Sequence, residues 1–219
     1  VAVGGGLSYG ALGISHHATE DLAIMRALPN MMIASPGDPQ EARLITNALV
    51  DYHGPAYLRL GRAGDTSVHQ NLASIDLKNP LVLESGQDLA IVVTGGVLPQ
   101  AMEATNILKS KGLGVKLISM PILKPLDQSR LLAYLEGIPA VFTVEEHSIV
   151  GGLGSLLAET LLESGYAPRI FHRIGLPNHQ FHEAIGSRDF MLHHYGLDAA
   201  GIVYTVESIL QARHAYGIS

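Results

Sequence analysis

An α/β fold in two units is what this 219-residue sequence predicts. Short apolar runs alternate with amphipathic stretches of helical length, which implies parallel strands joined by right-handed crossovers. The run Leu89-Ala90-Ile91-Val92-Val93-Thr94 is apolar almost without a break and ends in Gly95-Gly96, as a strand covered on both faces should. Between residues 64 and 86 the pattern loosens into polar, weakly periodic sequence and then restarts, so a linker is expected there.

In order along the chain, Val1-Ala2-Val3 reads as a strand end running into a glycine loop at 4–13, followed by a helix over about 18–28 and a strand at 31–34. A second helix is expected from Pro39 to Tyr52 and a strand over Ala56-Tyr57-Leu58-Arg59-Leu60, with Pro29-Asn30, Pro36-Gly37-Asp38-Pro39 and His53-Gly54-Pro55 as punctuation. After the linker come the strand 89–94, a helix through Ala101, Ala104, Thr105 and Leu108 stopped by Gly112, and a strand at 115–119. A helix at 128–135, a central strand at 140–144, a helix opened by Gly151-Gly152-Leu153-Gly154 and a strand at 169–173 complete the second sheet. Helices at about 188–195, capped by Ser187 and stopped by Gly196, and at 199–215 behind Asp198 close the chain. The second unit reads as complete. The first reads as cut, because it opens on a strand end without an initiator Met.

Composition narrows the function classes. Hydrophobic residues make up 47% and charged residues only 16%, which indicates a chain with a substantial core rather than a disordered one. The net charge of −6 and the lack of any basic block leave a nucleic-acid partner without an electrostatic footprint. No apolar run reaches the roughly 18 residues of a membrane helix, so no membrane partner is expected. There is no cysteine, which excludes disulfides, thiolate metal sites and cysteine nucleophiles and accords with a cytoplasmic setting.

Parallel α/β sheets bind ligands beyond the carboxyl ends of their strands, and the loop 4–17 lies there. His16 and His17, placed before a helix N-terminus, should stay neutral and be able to relay a proton; alternatively one ring caps the helix and the other is solvated. Arg59 and Arg62 bracket the end of their strand, where a guanidinium can grip a phosphate or carboxylate, or simply make a surface ion pair. Gly151-Gly152-Leu153-Gly154 lacks the spacing and lysine of a phosphate loop, so tight strand-to-helix packing explains it better. Glu145-Glu146-His147 ends the central strand and has no visible third partner; a structural or interface role outweighs a catalytic one. His172, Arg173, His193 and His194 follow no ligand pattern, and His179 and His182, three apart, could hold a metal but fall on a loop.

Several stretches then resemble one family. Gly13-Ile14-Ser15-His16-His17 is similar to the Gly-Pro-Thr-His-Gln of transketolases, and Glu20 through Met31 resembles the helix and Arg-x-x-Pro-Asn stretch that follow it. Pro36-Gly37-Asp38 resembles the family's Pro-x-Asp turn. Val144 through Gly154 and Tyr195 through Ile202 resemble signatures of its C-terminal domain. The resemblance implies that residues 1–63 are the end of a pyrimidine-binding domain, a parallel sheet with helices on both faces. Residues 64–86 would be the linker and 87–219 a transketolase C-terminal domain, which mainly builds a homodimer.

What the resemblance implies for chemistry is transfer of a two-carbon ketol unit from a ketose phosphate to an aldehyde, with thiamine diphosphate as electron sink and Mg²⁺ beside it. His16 matches the histidine that reaches the reacting oxygens. Arg62 matches an arginine that holds the substrate phosphate, and Arg59 one found in deoxyxylulose-phosphate-synthase-like relatives. Ser15 and His17 flank His16 as substrate-binding candidates. The glutamate that activates the cofactor, and the diphosphate and Mg²⁺ site, belong to sections not in this sequence, so an N-terminal section or subunit is the expected partner and the chain alone is expected to be inactive. Leu12 stands where an acidic residue usually reads a sugar hydroxyl, and an upstream histidine is replaced within Gly4-Gly5-Gly6, which points to an altered sugar preference. A deoxyxylulose-phosphate-synthase-like protein, a 2-oxoacid-dehydrogenase β-type protein and a non-catalytic dimerisation module are the competing readings.

Overall fold

The strands sort into two sheets in the computed structural model, which describes residues 1–178 and 184–215. In the first, β1 (Ala2–Val3), β3 (Ala56–Leu60) and β2 (Met32–Ala34) run parallel, linked through α1 (Asp21–Arg26) and α2 (Pro39–Val50). The second has β4 (Leu81–Glu84), β6 (Val115–Ser119), β5 (Leu89–Thr94), β8 (Ala140–Ser148) and β9 (Ile170–Leu176) in that spatial order. All its neighbours are parallel except β4, which lies antiparallel to β6.

Side-chain alternation along β5 explains how this sheet carries helices on both faces. Leu89, Ile91 and Val93 enter one core with Leu98, Ala101 and Leu108 of α3 (Leu98–Ser110) and Ile202 and Val206 of α7 (Ala199–Ala215). Ala90 and Val92 enter the other, with Leu131 and Leu135 of α4 (Gln128–Leu135) and Leu153, Leu157 and Leu161 of α5 (Leu153–Glu163). Each such leucine contributes about 1.5–3 kcal/mol on burial, so these two layers carry most of the fold. The helix α6 (Arg188–His194) starts behind Ser187, whose hydroxyl accepts from Phe190 N. Likewise Asp38 caps α2 by accepting from Gln40 N and Glu41 N, with Pro39 in the first helical position.

Four elements differ from their sequence expectation. The stretch 64–86 is not all linker: its last part forms β4, an edge strand too short and too weakly alternating to announce itself. A further strand, β7 (Ile122–Lys124), lies between Pro121 and Pro125, where no element is expected; it pairs antiparallel with β2 and so completes the first sheet from the second half of the chain. The expected helix 18–28 shortens to α1 because Ala18 is held in a backbone pair with Gly6. Finally, β8 extends through Ser148, so Glu145-Glu146-His147 lies within the strand rather than beyond its end. The sheets meet where β2 and β5 end: Gly95 N donates to Ser35 O at 3.1 Å, and Ser35 N to Pro121 O at 2.7 Å. Among the described residues, no helix is long and apolar enough to cross a membrane.

Candidate active site

The loop 4–17 is a closed excursion from the end of β1. Gly4 N and Gly5 N donate to Leu60 O, and its neck is sealed by Gly6 N to Ala18 O (2.8 Å) and Ala18 N to Gly6 O (3.0 Å). Between these ends the chain makes two 3-10 turns, Gly10–Leu12 and Ile14–His16, separated by Gly13 at φ +79°, a left-handed conformation that favours glycine.

His16 closes the second turn and is exposed, with Ser15 Oγ 3.1 Å from its Nδ1. The hydroxyl can donate or accept, so it steers the ring without fixing its tautomer. His16 is not at a helix N-terminus, contrary to the expectation that the macrodipole would act on it: His17, Ala18, Thr19 and Glu20 intervene before α1. His17 turns inward. Its Nε2 lies 3.2 Å from Gly10 O, and a carbonyl only accepts, so Nε2 carries the proton; Nδ1 is buried and unpartnered. The two adjacent imidazoles therefore divide between a presented group and a loop brace, which removes His17 from the substrate-facing set.

Arg59 and Arg62 divide in the same way. Arg59 is only 4% exposed; its Nε donates to Asp21 Oδ2 at 2.9 Å and its Nη2 to Ala18 O at 2.6 Å and Glu146 O at 3.0 Å. It is neither the anion fork nor the surface ion pair that its place at a strand end suggested, but a buried tie between α1, the loop neck and β8. Asp21 also accepts from the Tyr57 hydroxyl at 2.7 Å, and burial followed by that carboxylate pushes the phenol's pKa up. Arg62 is exposed beyond β3, beside a depression of about 330 Å³ that Pro36, Gly61 and Asp65 also line.

Glu145-Glu146-His147 is engaged in buried contacts on all three side chains. Glu145 accepts from Leu153 N (2.7 Å) and Gly154 N (2.8 Å), capping α5 from the strand that precedes it. Burial pushes its carboxyl up to about 7, against the pull of those two N–H groups. A Cβ on Gly152 would overlap Glu145 Oε2, and one on Gly154 would lie 2.6 Å from Arg173 Cγ, so the glycines serve close packing. His147 Nδ1 donates to Ser148 O at 2.7 Å and Nε2 accepts from Ala23 N at 3.4 Å; burial, then the Arg59 charge, hold its pKa below the ordinary histidine value. Glu146 accepts from Leu7 N at 2.6 Å and from Arg188 Nη2 at 2.7 Å. Sequence reasoning passed over Arg188 and Asp21. For Arg188 the signal was an acidic pair inside a buried strand, which demands buried donors; for Asp21 it was an arginine inside a strand, which demands a buried acceptor.

Asp38, Glu41 and His69 form the one cluster of metal-ligand type among the described residues. Its carboxylates are already engaged: Asp38 accepts from Gln40 N, Glu41 N, Val68 N and His69 N, while Glu41 accepts from Gly37 N, Ser119 Oγ and His69 Nε2. The cluster clips the segment after β3 onto α2. His179 and His182 lie outside the described residues, and His193 pairs with Asp198 at 2.7 Å on the surface.

Fold and site together define a two-unit α/β protein that offers one exposed histidine on a braced loop and one exposed arginine past a neighbouring strand. Residues 1–64 match the family model described as transketolase, pyrimidine binding domain, and residues 79–202 that described as transketolase, C-terminal domain. The chain belongs to the transketolase family. It is 37% identical over 206 residues to an apulose-4-phosphate transketolase subunit of Phocaeicola vulgatus, covering 94% of this chain and 64% of that protein. It is 32% identical to 1-deoxy-D-xylulose-5-phosphate synthase 2 of Geobacter sulfurreducens, over 91% of this chain and 32% of that one. A solved structure described as a split gene transketolase, inactive beta4 tetramer, superposes with a TM-score of 0.82 at 35% identity, covering 96% of this chain and 65% of that chain.

The family's members use thiamine diphosphate, and three places in this chain where its diphosphate and Mg²⁺ could be sought are already occupied. The N-termini of α2 and α5, the usual places for an anion, are filled by Asp38 and Glu145, and the oxygens of the Asp38–Glu41 cluster are occupied by protein donors.

Proposed function

We propose that this chain is the C-terminal portion of a ketol-transferring enzyme, active only when assembled with a section that carries thiamine diphosphate and Mg²⁺. The observation that carries the reading is the sorting of the two histidines. The family-matching His16 is presented to solvent, while the adjacent ring is spent on holding the loop. An imidazole at that place can take the proton that a ketose hydroxyl releases when the neighbouring carbon–carbon bond breaks, and return it to the acceptor aldehyde's oxygen. Arg62 is positioned to hold a substrate phosphate by a charge-assisted fork. A cytoplasmic setting, a homodimer through the second unit and a separate N-terminal partner complete the proposal.

Loss of hydroxyl-reading groups at Leu12 and Gly4-Gly5-Gly6 supports an uncommon sugar, and apulose 4-phosphate, named for one relative, belongs in the donor panel beside linear ketose phosphates. The test is to mix the chain with its diphosphate-binding partner, thiamine diphosphate and Mg²⁺, and to follow ketol transfer to aldehydes by product chromatography. Transfer should need both chains, and His16→Ala should slow it by about 100- to 1,000-fold with unchanged melting temperature. If no ketose phosphate reacts, the proposal fails. The second reading, a deoxyxylulose-phosphate-synthase-like activity, is supported by the Geobacter relative; carbon dioxide release from pyruvate in the same mixture would favour it.

A further inference from the structure

We infer that Glu146, on the second unit, is a positioning residue for His16, so that the second unit sets the geometry of the candidate active site. This rests on the role proposed for His16. Glu146 is 2% exposed and reaches both sides of the loop neck. On one side its Oε1 accepts from Leu7 N at 2.6 Å, immediately after the neck residue Gly6. On the other, its carbonyl accepts from Arg59 Nη2, which also donates to Ala18 O, the opposite neck residue and two positions from His16.

Two further features make this a fitted joint. Gly6 stands at φ +64°, and a Cβ there would lie 2.6 Å from Glu146 Cγ, so the neck can approach the carboxylate only because position 6 is glycine. The carboxylate is itself aimed by Arg188, whose Nη2 donates to Oε2 at 2.7 Å and to Gly96 O at 2.8 Å and whose Nε donates to Oε1 at 3.3 Å. Arg188 Nη1 also lies 3.9 Å from Asp65, on the segment that follows Arg62. One buried pair thus touches the neck of the His16 loop and the segment beside Arg62. Displacing a reacting group by about 1 Å can cost on the order of 100-fold in rate, so a neck tether is enough to matter.

The experiment compares Glu146→Gln, His16→Ala and the double variant in the full chain assembled with its cofactor-carrying partner. Glutamine can still accept from Leu7 N, but its NH₂ faces the donors of Arg188, so the joint loosens without a large change in shape. The expected result is a kcat about 10- to 100-fold lower with KM for the donor within about twofold. The double variant should be no slower than His16→Ala alone, because a residue acting through His16 has nothing left to position. Independently of turnover, amide hydrogen exchange of residues 7–17 should accelerate in Glu146→Gln while β5 stays protected. A full kcat for Glu146→Gln where His16→Ala is slow, or losses that multiply in the double variant, would overturn the inference. If His16→Ala is itself silent, the functional proposal falls instead, and exchange in 7–17 still decides whether Glu146 holds the loop. Should Glu146→Gln not fold, Arg188→Lys loosens the same carboxylate and goes through the same comparison.

Discussion

The two sheets bury their residues differently. Every residue of β5 and β8 is buried, and helices cover that sheet on both faces. In the first sheet β3 runs from exposed Ala56 to buried Leu58 and Arg59, β1 has two residues, and Val3 is 61% exposed. The first sheet also takes its fourth strand, β7, from the other half of the chain. Both groups with the strongest claim to chemistry, His16 and Arg62, sit on this thinner layer. The lesson is a division of labour: one unit supplies most of two large cores, into which the other sends Leu7, Leu22 and Ile33, and that other unit presents side chains and is steadied by the contact.

That contrast can be broken most directly in the core. Phe142→Ala, at a fully buried position of β8, should cost about 3–5 kcal/mol and bring β2 and β3 down in the same transition, read by hydrogen exchange through a urea series. Protection surviving in β2 and β3 after β5 and β8 have opened would show that the first sheet stands by itself. Next come the two arginines. Arg59→Ala leaves Asp21 without its cationic partner and should destabilise by about 3 kcal/mol, whereas Arg62→Ala should change stability by less than about 0.5 kcal/mol. In the assembled enzyme Arg62→Ala should instead raise KM for a phosphorylated donor by about 10- to 100-fold, the worth of a hydrogen bond to a charged group. Matching melting temperatures for the two variants would erase the distinction.

The smallest expected effect concerns His69. Its hydrogen bond to Glu41 raises its pKa above 6.5, outweighing the opposing effect of burial. A raised folded pKa means that the pair's stabilisation is complete below pH 6.5 and fades as pH climbs through the folded value. The melting-temperature gap between wild type and His69→Gln should therefore be widest in mild acid and narrow in alkali. A gap that widens with pH would show that the imidazole is bound neutral.

Much of the architecture was legible because burial writes itself into residue type. The run 89–94 ending in two glycines reads as a strand covered on both sides, and the stretch from Pro39 reads as a helix. The edge pieces β4 and β7 were not legible, since tertiary pairing, not local pattern, makes three or four residues extended. At the site, the interest of His16 came from its resemblance to a family motif, and the loop's glycines agreed. Nothing in the sequence could tell that His17 and Arg59 face inward, because each orientation depends on carbonyls brought from elsewhere: Gly10 for the imidazole, Ala18 and Glu146 for the guanidinium. The pair Glu145-Glu146 was visible as an oddity, and the fold supplies its reason in a helix end and a loop neck.

The antiparallel pairing of β7 with β2 bears on anyone wishing to shorten or splice this polypeptide. A cut within 65–78 looks innocuous, since it removes no helix and falls in the polar stretch between the two matched regions. Yet the released amino-terminal piece would bare the backbone of Ile33 and Ala34 where Lys124 and Ile122 had paired with it, giving a sticky border open to self-association. Chimeras that exchange the carboxy-terminal half should carry residues 121–125 from the same parent as residues 32–34.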